Sequence, residues 1–537
     1  MFYNYYQYDD YNFDSCTTKG ICSIDPTITA LQEVIIMYLK QLAFYTLRLR
    51  KKGVSNSIIK YNIINTLSGL VSTTDYSKEQ FKSIIMILYE NLRQSKILYE
   101  RICKNNNLST DKLSSQLHLN KKPDLVEAIK QGEKEFIKKN KLLVPKQRHI
   151  FEIMFLLIKN VCINLIQLKS YGKDCDEAYY SMLQVLNMIN YKVVSTDKLK
   201  LVTERFVEVN YKLVKLLLSC ERESFGKSET VSVSFSTRPG KAILVSGSNL
   251  KELEEVLKAT KGLNIDVYTH GSMIMGHTYP KLNSYPQLQG QFGLGVENCL
   301  LDFATFPGAI LMTKNSLQNV EYLYRGRLFT TDTNAPKGVT KITDGNFQPL
   351  IKSALEAKGF AKGQKRDDLI LGFQEDILNK KIDDIIIKIR GRNIKHLIII
   401  GILNDSSSQK RYFERLLKYK NNDTYAITLS TYVPSSNTFQ INSGYDLSII
   451  YKILENLSKK FEDKTFDISV FLTKCDRYSV SNMLNLKHLG VKNIFLSHCS
   501  LMVVNPIIID SMKDIFDVNM IKTPKEDLSL IMGTSQE

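Results

Sequence analysis

Tryptophan is absent from all 537 residues, and so is any long uninterrupted apolar run. The longest, Ile150 to Ile158, is broken by Glu152. A membrane-spanning helix needs about 20 apolar residues, so none is expected. The N-terminus lacks the basic and apolar regions of a secretory leader and carries Asp9, Asp10 and Asp14. The expectation is therefore cytoplasmic synthesis without membrane insertion. Cysteine is sparse: nine residues, an odd number, mostly far apart. That excludes a secreted disulfide framework. Cys162 and Cys220 fall inside apolar helical patterns and read as core residues. No RNP, zinc-finger or helix-turn-helix signature is present. The formal net charge of +17 is thus read as lysines on solvated helix faces, as in KKNK at 138–141, and no nucleic-acid partner is expected.

What is present is the composition of a folded protein, 43% hydrophobic and 24% charged. Asp25-Pro26-Thr27 signals a helix start. From there to about 222, apolar residues recur at spacings of three and four, over LQEVIIMYLKQLAFYTLRL, 80–103, 148–169, 176–191 and 198–221. The character changes near 223. Short apolar runs then alternate with helical stretches: 241–247, 265–270, 307–313 and 327–332, with helix NLKELEEVLKAT between the first two. After the link GFAKGQKRDD (359–368), helix 370–391 opens a second alternation. Its strands are 396–402, 424–430, 467–473 and 493–498, with helices at 409–419 and 446–461 between the first three and another before the last. The pattern predicts a multidomain α plus α/β protein, with helical bundles followed by two Rossmann-like, doubly wound α/β domains. Boundaries are placed at 1–24 (a Tyr-rich segment), 25–225 (helical bundle), 226–365 (first α/β domain) and 366–537 (second). Active sites of such sheets lie at the carboxyl ends of the strands.

Several strings then stand out: YTHGSMIMGHTYPKLNSYPQLQGQFG (268–293), FATFPGAILMTKNSL (303–317), RLFTT (327–331), LGVKNIFL (489–496) and TPKEDL (523–528). They closely resemble the hybrid-cluster proteins, the prismane or hydroxylamine-reductase family related to carbon monoxide dehydrogenase. The resemblance spans nearly the whole chain and implies two metal centres. One is a cubane iron–sulfur cluster on four N-terminal cysteines, in a pattern like MFCxxCQ followed by CTxKGxC. Here Cys16 and Cys22 match, but Tyr3 and Tyr6 occupy the first two cysteine positions. Iron–sulfur clusters are held by thiolates, and two thiolates should not hold a cubane. Cys16 and Cys22 are left as a remnant ligand pair, a disulfide or two free thiols.

The second implied centre is the hybrid iron–sulfur–oxygen cluster. The family's His falls on Ser248, its Glu on Ser272 and its first Cys on Ser316. Its further cysteines fall on Leu403, Thr431 and Gly444, and its last Glu and Lys on Asp476 and Tyr478. Only Asp476 retains a metal-binding side chain. The remaining His and Cys candidates are His270 with His277, His498 with Cys499, and Cys475 beside Asp476. They do not form a set with zinc-ligand spacing, and His270 and His277 read as retained family residues. GQFGLG (290–295) departs from the strand–GxGxxG–helix order of a nucleotide site and reads as a packing loop.

From this substitution pattern the expectation is a catalytically inactive homologue with no cofactor. It would act as a structural, self-assembling homo-oligomer. The chain holds 28 tyrosines, with Tyr3, Tyr5, Tyr6, Tyr8 and Tyr11 in its first eleven residues. Tyrosine is enriched at contact surfaces, which suggests a layer such as a spore coat, although AT-rich coding also supplies tyrosine. The alternatives are a partner-binding regulatory protein or an active hydroxylamine reductase-type oxidoreductase.

Overall fold

The computed structural model describes residues 26–70, 76–113, 124–142, 145–188, 195–293, 299–317, 320–333, 335–401, 407–430, 435–443, 448–460, 467–473, 478–496, 512–513 and 515–533. The chain divides into two compact units, one of residues 1–217 with 504–511, the other of 218–503 with 512–537.

The first unit is a helical bundle of α1 (Pro26–Lys51), α2 (Ser57–Gly69), α3 (Lys78–Asn105), α4 (Leu125–Leu142), α5 (Pro145–Ser170), α6 (Asp176–Met188) and most of α7 (Thr196–Phe225). α1 is its axis: nearly every residue from Ala30 to Tyr45 is buried, and α3, α4 and α6 all pack on it. α3 shows why the periodicity was legible. Phe81, Ile85, Leu88, Asn91, Ser95, Tyr99 and Cys103 form one buried stripe, at the three- and four-residue spacing of a single helix face. Its start is fixed by a reciprocal cap, Gln80 N–H to Ser77 Oγ and Ser77 N–H to Gln80 Oε1. α5 is long and apolar enough to cross a membrane over Ile153–Ser170, by length and composition, which the sequence reading did not anticipate. In this fold 72% of that stretch is buried inside the protein, as a core helix is.

The second unit carries two parallel six-stranded sheets. The strands of the first are β2 (Lys241–Ser246), β3 (Ile265–His270), β4 (Leu288–Gln291), β5 (Ala309–Met312), β6 (Leu328–Thr330) and β7 (Thr340–Lys341). Those of the second are β9 (His396–Ile400), β10 (Thr424–Thr428), β11 (Thr438–Gln440), β12 (Asp467–Leu472), β13 (Asn493–Leu496) and β14 (Val518–Met520). The spatial orders are β4-β3-β2-β5-β6-β7 and β11-β10-β9-β12-β13-β14. Each sheet therefore starts in its centre, winds outward one way, then crosses over and winds the other way. That is the doubly wound order, and its crevice opens where the direction reverses. In the first sheet the switch lies between β2 and β5, in the second between β9 and β12.

A separate antiparallel pair, β1 (Val231–Val233) with β8 (Leu369–Leu371), stands outside both sheets. The helix expected from 370 consequently begins later, as α11 (Glu375–Arg390). The other helices used below are α8 (Leu250–Ala259), α9 (Cys299–Thr305) and α10 (Gln348–Glu356).

α8 carries a buried carboxylate ringed by partly exposed lysines. The Glu254 side chain is fully covered and takes Lys251 at 2.5 Å, Lys281 at 2.9 Å and Lys258 at 3.1 Å. Burial opposes its charge, but the lysine hydrogen bonds outweigh that and hold its carboxyl at about 2. This stabilisation is fully present above the ordinary value of 4.5 and is lost as pH falls toward 2. Glu254→Gln is expected to lower stability by about 2 kcal/mol at pH 7, a difference that shrinks between those two pH values in chemical denaturation.

Candidate functional site

The carboxyl edge of the first sheet gathers side chains from three strand ends. β2 runs out through Ser246, Gly247 and Ser248, and Asn249 caps α8 by accepting from Lys251 N and Glu252 N at 3.1 and 3.4 Å. β3 ends in His270 and passes into a 3-10 turn, Gly271–Thr278, that bears Ser272 and His277. β5 leads into the turn that bears Thr313 and Ser316. Polar residues occupy these positions because strands buried on both faces are apolar along their length and free to vary only where the chain leaves the sheet.

These hydroxyls are linked across the switch point. Ser248 N donates to Thr313 Oγ1 at 3.2 Å, and Thr313 Oγ1 lies 3.3 Å from Ser316 Oγ. Ser272 Oγ donates to Gly247 O at 2.7 Å. Gly247 is required here: its φ is +126°, and an added Cβ would come within 2.0 Å of Thr313 Oγ1. From the second sheet's side of the same unit, Tyr478, at the N-cap of α12 (Ser479–His488), brings its Oη to 3.2 Å from Ser248 Oγ. Two positions distant in sequence, 248 and 478, thus meet.

The retained histidines are each committed to neighbours. His270 is fully buried, with Nδ1 2.9 Å from Ser246 Oγ, Nε2 3.2 Å from Asp302 Oδ2, and its ring edge-on to Phe303. His277 Nε2 lies 3.0 Å from Thr269 Oγ1. Burial lowers its pKa to about 4, so it is neutral at physiological pH. Gly290 in β4 permits close packing, since an added Cβ would sit 2.1 Å from Ser234 O.

Of the other candidates, Tyr3, Tyr6, Cys16, Cys22, Leu403, Thr431, Gly444, Cys475, Asp476, His498 and Cys499 lie outside the described residues. Among the described residues no group of three or more His, Cys, Asp or Glu side chains converges as a metal site. Sequence reasoning missed Glu252 and Asp332, buried carboxyls behind the β5 turn. Their signal was weak, because a lone Glu in a helix and a lone Asp in a turn both look like surface residues.

The family called Prismane/CO dehydrogenase matches residues 12–430 of this chain. The chain belongs to that family. It is 27% identical to the hydroxylamine reductase of Maridesulfovibrio salexigens, over 96% of this chain and 97% of that protein. It is 26% identical to the hydroxylamine reductase of Syntrophobacter fumaroxidans, over 97% of this chain and 98% of that protein. Among solved structures, carbon monoxide dehydrogenase IV from Carboxydothermus hydrogenoformans covers 96% of this chain with a TM-score of 0.47 and 12% identity, and 88% of that chain is covered. An alpha subunit of acetyl-CoA synthase/carbon monoxide dehydrogenase covers the same share with a TM-score of 0.49 and 10% identity, and 83% of that chain is covered.

Two expectations are corrected by this family membership. The chain was expected to be no enzyme and to carry no cofactor. Its relatives match end to end and carry an enzyme's name, and the family assignment is shared with carbon monoxide dehydrogenases. The physical error lay in the step from side chains to function. A substituted position reports the loss of one donor atom, whereas activity belongs to the assembled site, and half of the expected hybrid-centre positions lie outside the described residues. The described ones can be tested against a cluster directly. Ser248, Ser272, Ser316 and Tyr478 offer hard hydroxyl oxygens already hydrogen-bonded: Ser248 with Tyr478, Ser272 to backbone and Ser316 with Thr313. Thiolate-ligated iron clusters need soft, anionic donors, so these four residues do not fit that role.

Proposed function

We propose that this prismane-family chain is an oxidoreductase of the hydroxylamine-reductase class, taking a small hydroxylated nitrogen compound at the carboxyl edge of the first sheet. The observation that carries the reading is the end-to-end match to hydroxylamine reductases, 96% of this chain against 97% of the relative. The geometry agrees with it in one respect: Ser248, Thr313 and Ser316 meet at the ends of β2 and β5, the switch point where ligands of doubly wound sheets bind. Ser248 and Tyr478 can each donate and accept, so together they suit an N–O–H group. Neutral His277 stays out of the acid–base work above pH 4. Reduction of hydroxylamine to ammonia and water takes two electrons and two protons. The residues described here bind and orient, and the electrons come from an external donor.

The test is turnover with a reduced viologen dye as donor. Tyr478→Phe removes one hydrogen-bonding group and is expected to raise KM about threefold to tenfold, the worth of one neutral hydrogen bond, with a smaller change in kcat. An unchanged KM would remove Tyr478 from the site.

We also infer that the chain associates with a second copy of itself. Leu300 and Leu301 on α9 and Tyr322 and Leu323 on the adjoining turn are 50%, 66%, 89% and 69% exposed. Grouped exposed apolar side chains of this size mark contact surfaces. Light scattering should give a multiple of the 61.6 kDa chain mass, reduced to one chain by Leu301→Asp with Tyr322→Asp. A wild-type mass of one chain would remove the inference.

A further inference from the structure

The turn at the end of β5 carries a buried donor that the protein leaves unused. Ser316 N donates to Thr313 O at 3.0 Å, which closes a four-residue turn over 313–316. Asn315 is its third residue, in the left-handed region at φ 60°. Turns of this kind take Gly or Asn there, because few other side chains tolerate a positive φ. The backbone is held from behind: Asn315 N donates to Asp332 Oδ1 at 2.5 Å, Leu317 N to Asp332 Oδ2 at 3.4 Å and Lys314 N to Glu252 Oε2 at 3.1 Å. Turn geometry explains the conformation but not the side chain, since glycine would meet it with less strain. Asn315 is only 6% exposed. Among the described residues no acceptor meets its Nδ2. A donor shut away from water without a partner is costly, and in native proteins such groups mark water, an ion or a functional role. The neighbours point to the last. Thr313 and Ser316, in the same turn, are the residues that meet at the switch point with Ser248 N.

We propose that Asn315 is a further ligand-binding residue of this edge, its amide Nδ2–H donating to a lone pair of bound hydroxylamine. The proposal rests on the hydroxylamine-reductase reading of this edge and deepens it. The hydroxyls of Ser248 and Tyr478 can donate or accept, whereas an amide nitrogen can only donate. Asn315 therefore sets the polarity of the site, favouring a ligand that presents a lone pair. Hydroxylamine at pH 7 is neutral and has lone pairs on both heavy atoms. Its reduction product leaves as the ammonium ion, which has none, so the same donor holds substrate and lets product go. The turn is preorganised for this task, because Asp332 and Glu252 hold its backbone before any ligand arrives.

Two measurements on the full chain test it: calorimetric titration with hydroxylamine at pH 7 without dye, and thermal melting. Asn315→Gly keeps the turn and removes the amide. It should raise Kd about fivefold to tenfold, the worth of one neutral hydrogen bond. It should also raise the melting midpoint by about 2 °C, since strain and an unused donor both disappear. Asn315→Asp keeps the shape and the tolerance for a positive φ but puts an acceptor where the donor was, and should weaken binding at least as much. No hydroxylamine binding by the wild type, a Kd unchanged in both variants, or a midpoint that falls in Asn315→Gly would each overturn the proposal. The second of these is the result expected if water alone meets Nδ2, and the third if the amide serves packing. Binding that depends on Asn315, without any turnover of reduced viologen, would support the proposal and remove the reductase reading instead.

Discussion

Gly132→Ala should destabilise the helical unit by about 3 kcal/mol or more, the upper range for overpacking a tight contact. Gly132 sits on α4 where that helix meets α1. An ideal Cβ there would lie 2.0 Å from Ala30 O, 2.5 Å from Ala30 C and 2.9 Å from Ala30 Cα. All three are backbone atoms, so no side-chain rotation relieves the clash, and the helices must separate. Ala128, one turn earlier, is fully buried on the same face. Two small residues four apart let the α4 backbone approach α1 closely. Helix propensity runs the other way, since alanine is worth about 1 kcal/mol more than glycine in a helix interior. A rise in stability would therefore mean that the crossing is looser than described. For a unit of this size the expected loss corresponds to a fall of roughly 6–12 °C in the first thermal transition, read by calorimetry.

The second large effect is acid sensitivity from His277. Its folded pKa, about 4, lies below its ordinary 6.5 because burial disfavours the charged ring. A depressed histidine favours the native state fully above the ordinary value, and this contribution is lost as pH falls toward the folded value, because the unfolded chain takes up the proton first. Over that window the term is about 3 kcal/mol, from 1.36 kcal/mol per pKa unit. Glu252 acts in the opposite sense. Its folded pKa is raised, so its contribution is present below 4.5 and lost as pH rises through about 7. The two terms offset in the wild type, whose stability between pH 4.5 and 6.5 should be nearly flat on their account. Each single variant exposes the other term. Denaturation of His277→Gln should show stability falling as pH rises through this range, and Glu252→Gln should show it rising. Equal pH slopes in the two variants would contradict the assignment.

Much of this architecture could be read from the residues. α3 and α7 announce themselves through stripes such as Phe81, Ile85, Leu88, and the central strands through runs such as Ala242–Val245 and Leu397–Ile400. The edge strands could not be seen. LQGQ in β4, TFQ in β11 and VNM in β14 are only three or four residues long, as edge strands often are, too short to show an apolar run or an alternation. Ile370 and Leu371 read as the start of a helix because a short apolar run carries no period of its own, and only the pairing of Leu369–Leu371 with Val231–Val233 makes it a strand. At the site, Ser248, Ser272 and Ser316 were placed at strand ends from the flanking strings. The contact between Ser248 and Tyr478 depends on two sheets meeting and has no local signature. The same holds for Glu252 and Asp332, whose burial comes from the way three strand ends converge on them. The step from substituted positions to lost activity failed for a different reason, because it treated single donors as if they were the whole site.

The proposed activity is tested most directly by the balance of electrons and product. Anaerobically purified chain, given hydroxylamine and reduced viologen, should form one ammonia for every two electrons the dye gives up, at a rate proportional to protein and absent without substrate. Dye oxidation no faster than in protein-free buffer, with no ammonia formed, would contradict the account.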